Sequence, residues 1–180
     1  VEERSVGPDL GKDSIEAGIF SLAVGFILVI IFMLIKYKIF GLISNISLIS
    51  NLFMLLGVMT LLEATLTLPG IAGIILTVGM AVDSNVLIYE RIREELKTEK
   101  SIIHAFDTGY NKAKITVIDA NITTLIAAAI LFVFGTGPVK GFAITLGVGI
   151  VTTLFSAYFI ARHLTSLVVL NDREGKYFKL

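Results

Sequence analysis

Two aspartates stand inside stretches that are otherwise hydrocarbon in character. Asp83 interrupts the apolar run from Gly70 to Tyr89, and Asp119 lies in the next such run. Each opens an Asp-x-Asn triplet, Asp83-Ser84-Asn85 and Asp119-Ala120-Asn121. An ionisable side chain near the centre of a bilayer costs at least about 2.5–3.5 kcal/mol on insertion scales. Such a group either glues helices through hydrogen bonds or moves an ion. A carboxyl group resists ionisation in dry surroundings and accepts it in wet ones. One whose environment alternates therefore loads and releases a proton, which makes Asp83 and Asp119 candidate relay groups. Asn85 and Asn121 can donate to a carboxylate, and Thr123 and Thr124 lie one turn beyond Asp119. In the preceding run Ser44, Ser47 and Asn51 fall at spacings of three and four, on one helix face. That stripe either bonds a neighbouring helix, the favoured reading, or lines a wet path toward Asp83. No Lys or Arg lies deep inside an apolar run, so the chain offers Asp83 no buried cation.

The elements that hold these residues are membrane spans. Of the 180 residues 55% are hydrophobic, and the mean hydropathy is +0.87. A soluble domain sits nearer 45–50% apolar. Five stretches reach the ~20 apolar residues a spanning helix needs: about 15–40, 42–62, 70–92, 115–134 and 142–161. The fold class is therefore all-α, a membrane bundle of five transmembrane helices. Twelve basic residues fall on one side of these spans, among them Lys36, Lys38, Arg91, Lys112, Lys114 and Arg162. Only Arg4, Lys12 and Lys140 fall on the other. Positive-inside bias then places the N-terminus outside and the C-terminus in the cytoplasm, with an odd number of crossings. Residues 1–14 read as an extracytoplasmic linker tail, 15–170 as the bundle and 171–180 as a cytoplasmic tail. The polar start at Val1, without an initiator Met, suggests an internal piece of something larger.

Loop chemistry agrees with these boundaries. Lys36 to Gly41 is a tight cytoplasmic turn, Pro69 begins the third helix, and Gly135 to Gly141 is a stiff external turn. Between Arg91 and Lys114, Ser101 can cap a short helix with Ile102, Ile103, Phe106 and Tyr110 on one face. It reads as lying on the inner membrane surface, or equally as packing on the bundle, with Gly109 ending it. At ~1.5 Å per residue Asp83 lies roughly 12 Å in from Arg91, and Asp119 roughly 7–8 Å in from Lys114. Both belong to the inner half of the bilayer, and Asp83 is expected to face the bundle interior.

Other chemistry is not signalled. Zero net charge gives no reason to expect a nucleic-acid partner. There is no Cys, and the two histidines, His104 and His163, are far apart, so no metal site is expected. Without a phosphate-binding glycine loop or a Ser/His/Asp constellation, neither an enzyme activity nor a cofactor is expected.

Several stretches together carry a resemblance: Val6 to Gly11, Leu68 to Gly73, Ala81-Val-Asp-Ser-Asn-Val-Leu-Ile88 with Glu90-Arg-Ile92, Asp119-Ala-Asn-Ile-Thr-Thr-Leu125, and Phe134 to Ala143. In order they resemble the membrane region of the SecD/SecF family of protein-export proteins, on the SecD side. Ser84 stands where that family usually has Ala. The resemblance implies half of an RND-type transporter that uses the proton gradient in late steps of protein translocation. It implies SecF, the SecYEG translocon, a translocating preprotein and membrane lipid as partners, and the bacterial cytoplasmic (inner) membrane as location. It also implies that the Asp at position 83 carries the proton coupling, and that a first helix and a large external domain precede the bundle. The coupling ion is a proton or, alternatively, sodium. Two other functions fit the residues: a proton-coupled RND-type exporter of small molecules or lipids, and a non-transporting membrane scaffold.

Overall fold

The computed structural model describes residues 8–98 and 101–171, with side chains from Asp13 onward. All its elements are helical: α1 (Pro8–Leu61), α2 (Leu68–Glu95), α3 (Ile102–Phe134), α4 (Pro138–Phe155), a π-helical turn (Ser156–Ala161) and α5 (Arg162–Asn171). Among the described residues four helical runs are long and apolar enough to cross a membrane: 13–61, 68–95, 102–134 and 138–171.

The first run is folded on itself. Lys38 has φ 49° and ψ −114°, outside helical space. The Asn45 amide donates to the Ile30 carbonyl at 3.2 Å. In an unbroken helix residues 15 apart would stand ~22 Å apart. The two limbs of α1 therefore run back alongside each other from Lys38. Gly41 is the residue that lets them meet, because a Cβ there would overlap the Met33 carbonyl. The turn expected between Lys36 and Gly41 is thus present. The Tyr37 hydroxyl ties it to α2 by donating to Glu90 Oε1 at 3.0 Å.

Much of the limb of α1 that precedes Lys38 is exposed. Phe20 and Ile35 are 71% and 75% exposed. The core lies deeper, where α2 packs on α4 and α3. Its main cluster gathers Met33, Phe40, Ile88, Tyr89, Phe106 and Tyr110 at the Lys38 end of the bundle. Small residues set the helix spacing. Gly73 lies against Thr145 and Phe142, and a Cβ on Gly149 would overlap the Thr77 side chain.

The helix ends follow local chemistry. Thr67 caps α2 by accepting from the Gly70 N–H at 3.1 Å, with Pro69 in the first turn. Pro138 likewise opens α4. Several expectations need correcting. Residues 102–114 form no separate surface helix: α3 runs unbroken from Ile102 to Phe134. Ser101 occupies the cap position without a side-chain capping bond. Gly109 does not end a helix either. It is buried against α2, where an added Cβ would meet Ile92 Cα at 2.7 Å. The fifth apolar stretch also extends further, since helix continues through the π-helical turn to Asn171. Of the tails, residues 1–7 and 172–180 lie outside the described residues, and 8–14 are helical and continuous with α1.

Candidate functional site

Asp83 sits midway along α2, one position before the buried pair Ser84 and Asn85. The helix turns that pair inward and leaves Asp83 on the outer flank, exposed in this chain. The expectation that Asp83 faces the bundle interior is corrected accordingly: it looks into an open groove between α2 and α3. The groove encloses about 210 Å³ and is lined by Met80, Asp83, Ser84, Leu87, Val117, Ala120, Asn121 and Thr124. The inward slots of α2 are filled by groups that meet the other helices. Asn85, only 2% exposed, donates to Ser44 Oγ at 3.0 Å.

The second Asp-x-Asn triplet contributes its Asn to this groove and not its Asp. Asp119 is exposed on α3 and is not among the groove residues. Thr123 and Thr124 donate to the backbone carbonyls of Asp119 and Ala120, at 3.0 and 3.1 Å, as helix-internal bonds. Asn121 donates to the Val117 carbonyl at 2.8 Å, and its Oδ1 is buried without a hydrogen-bond partner. The two carboxylates are therefore not brought together in one cavity.

Leu87 also borders a second cavity of about 270 Å³, lined with it by Glu90, Arg91, Glu94, Lys112, Ala113 and Thr116. Its charges are paired. Lys112 Nζ reaches both carboxylate oxygens of Glu95 at 2.9 Å, and Arg91 pairs with Glu94 at 2.7 Å. Leu87 is the side chain shared by the two cavities. Sequence reading alone passed over it, since one leucine among many carries no signal.

The polar stripe of α1 bonds its neighbours, as favoured. Ser47 Oγ donates to the Ser156 carbonyl at 3.1 Å and Asn51 Nδ2 to Thr153 Oγ1 at 3.1 Å. These bonds fall near the end of α4, where it passes into the π-helical turn. Asn51→Ala is expected to cost about 1 kcal/mol in the full-length protein, with a coupling to Thr153→Ala of about 0.6 kcal/mol. Denaturant titration of both single variants and the double in detergent measures it. Additive effects would show that the bond contributes nothing.

The sequence profile of the family described as protein export membrane protein SecD/SecF, C-terminal, matches residues 1–171. The chain belongs to the SecD/SecF family. It is 54% identical over 173 residues to the protein translocase subunit SecD of Magnetococcus marinus, covering 96% of this chain and 33% of that protein. It is 53% identical over 179 residues to SecD of Rickettsia prowazekii, covering 99% of this chain and again 33% of the relative. Among solved structures it is similar to SecDF of Thermus thermophilus, a translocon-associated membrane protein, with a TM-score of 0.88 and 42% identity. That match covers 92% of this chain and 23% of the SecDF chain. A second SecDF structure, in its super-membrane-facing form, matches with a TM-score of 0.85. The chain thus spans about a third of the length of its SecD relatives and corresponds to the SecDF membrane region. Within this region the Ser84 hydroxyl donates to the Met80 carbonyl of its own helix at 2.9 Å.

Proposed function

We propose that this chain is the proton-carrying membrane portion of a SecD-type subunit, which uses the proton gradient to assist late steps of protein translocation across the bacterial cytoplasmic membrane. The observation that carries the reading is Asp83, the one carboxylate in a groove otherwise lined by apolar and neutral polar groups midway along an apolar helix. Left uncovered in hydrocarbon, that carboxyl would cost several kcal/mol. A covering surface is therefore part of the site, and SecF, as the other half of the family's paired architecture, is the partner proposed to supply it. SecYEG and the translocating preprotein would be engaged by the assembled complex.

Within the groove, Asp83 is proposed to hold the proton while a partner surface covers it. Release follows when the carboxyl is exposed to water from the Glu90–Glu94 end, past Leu87. Asp119, outside this groove, takes a secondary part. Export of a secreted reporter tests the reading, in cells that depend on the full-length subunit with Asp83→Asn. Export that matches the parent and still responds to the gradient would replace the relay with a scaffold role.

The proposed topology has five crossings, because each limb of α1 crosses separately, with the N-terminus outside and the C-terminus inside. Cysteines at Lys36 and Ser101 should label from the cytoplasm, and cysteines at Glu63 and Thr136 from outside. Labelling of positions 36 and 63 from the same face would overturn it.

A further inference from the structure

A second groove lies away from Asp83, between α3 and the α4–π-turn–α5 run. It encloses about 480 Å³ and is mostly apolar, with Ile118, Val151 and Leu154 on its walls. Phe155 and Phe159 stack along it, ring centroids 4.8 Å apart. Of the residues lining it, the two charged ones are both cations, Lys114 and Arg162. They sit together at one end. The guanidinium lies over the Tyr110 ring at 5.5 Å, which holds it at the mouth. The Tyr158 hydroxyl bridges the same end by donating to the Lys114 carbonyl at 3.4 Å.

The dimensions match half a bilayer. From Arg162 to Val151 the helical rise is roughly 16 Å, and one leaflet's hydrocarbon is about half of ~30 Å. The cations therefore stand at headgroup level when the apolar wall lies at chain level. We propose that this groove binds one anionic phospholipid of the leaflet on the Lys114–Arg162 side. Its acyl chain lies along Val151, Phe155 and Phe159, and its phosphate lies between Lys114 Nζ and the Arg162 guanidinium. Among the described residues Arg162 pairs with Asp107, at 3.7 Å with both side chains about half exposed. Such a pair is weak, whereas phosphate can take two guanidinium hydrogen bonds at once. The lipid site does not depend on the proton relay.

The test uses the purified full-length protein in detergent, titrated with phosphatidylglycerol or phosphatidylcholine and read by native mass spectrometry. The parent should hold one phosphatidylglycerol in preference to phosphatidylcholine, and excess inorganic phosphate should not displace it. The double variant Lys114→Gln/Arg162→Gln should weaken that binding by about tenfold or more, while Lys97→Gln should leave it unchanged. In membranes containing the partner subunits, a benzophenone side chain at Phe159 should form a lipid adduct. Equal affinity for both lipids, undiminished binding by the double variant, displacement by phosphate, or a protein adduct at Phe159 would each overturn the assignment.

Discussion

Asp83→Asn in the full-length subunit is expected to leave insertion and assembly intact and to remove the gradient-stimulated part of export, a fall of at least about tenfold to background. Asn nearly reproduces the shape of Asp and still hydrogen-bonds, but it cannot take up or release a proton. The packing around position 83 should tolerate it. Asp83 is exposed in this chain, whereas the buried Asn85 bonds Ser44 of α1. Asp83→Glu keeps the ionisable group and should retain part of the activity. Asp119→Asn should give the milder defect, because Asp119 lies outside the groove. Reporter secretion at matched expression, with and without a collapsed gradient, measures all three variants. A scaffold role would make Asp83→Asn as harmless as a surface change.

The largest structural effect is expected from Gly109→Leu. At Gly109 the backbone of α3 presses directly on that of α2, and a Cβ alone would stand 2.7 Å from Ile92 Cα and 2.9 Å from Ile92 N. Backbone cannot rotate away as a side chain can, so the two helices must separate. Overpacking of this kind typically costs about 1–3 kcal/mol, and occasionally more. Because α2 and α3 also form the walls around Asp83, the same change should spoil export in whatever protein survives. Gly79, on α2 with nothing within 4 Å of an added Cβ, supplies the contrast. Gly79→Ala should be neutral or up to about 1 kcal/mol stabilising through helix propensity. Detergent-solubilised thermal stability separates the two. Equal behaviour of both variants would contradict the close approach at Ile92.

The apolar runs were readable because a spanning helix needs a longer unbroken apolar stretch than the core-facing helix of a soluble domain supplies. The fold-back was readable too, since Lys36, Lys38 and Gly41 interrupt the longest run where its two limbs are joined. The polar stripe gave its bonding face through spacing alone, and Ser44, Ser47 and Asn51 are all spent on neighbours. Gly109 misled for a physical reason: glycine weakens an isolated helix, yet inside a bundle it is the residue that lets backbones touch. The direction of Asp83 was not readable either. In a soluble helix the polar face marks the outside. In a membrane helix both lipid and core are apolar, so the pattern loses the contrast that orients it. Only the packing of Ser84, Asn85 and Ile88 against the rest of the bundle decides which flank Asp83 takes.

The central claim is that Asp83 carries the proton, and proton flux tests it most directly. The full-length subunit, reconstituted with SecF and an active translocon in vesicles holding a pH-sensitive dye, would be given an imposed gradient during preprotein translocation. A proton carried by Asp83 predicts flux above the lipid leak for the parent, reduced flux for Asp83→Glu and leak-level flux for Asp83→Asn. Parent-level flux through the Asp83→Asn complex would contradict it.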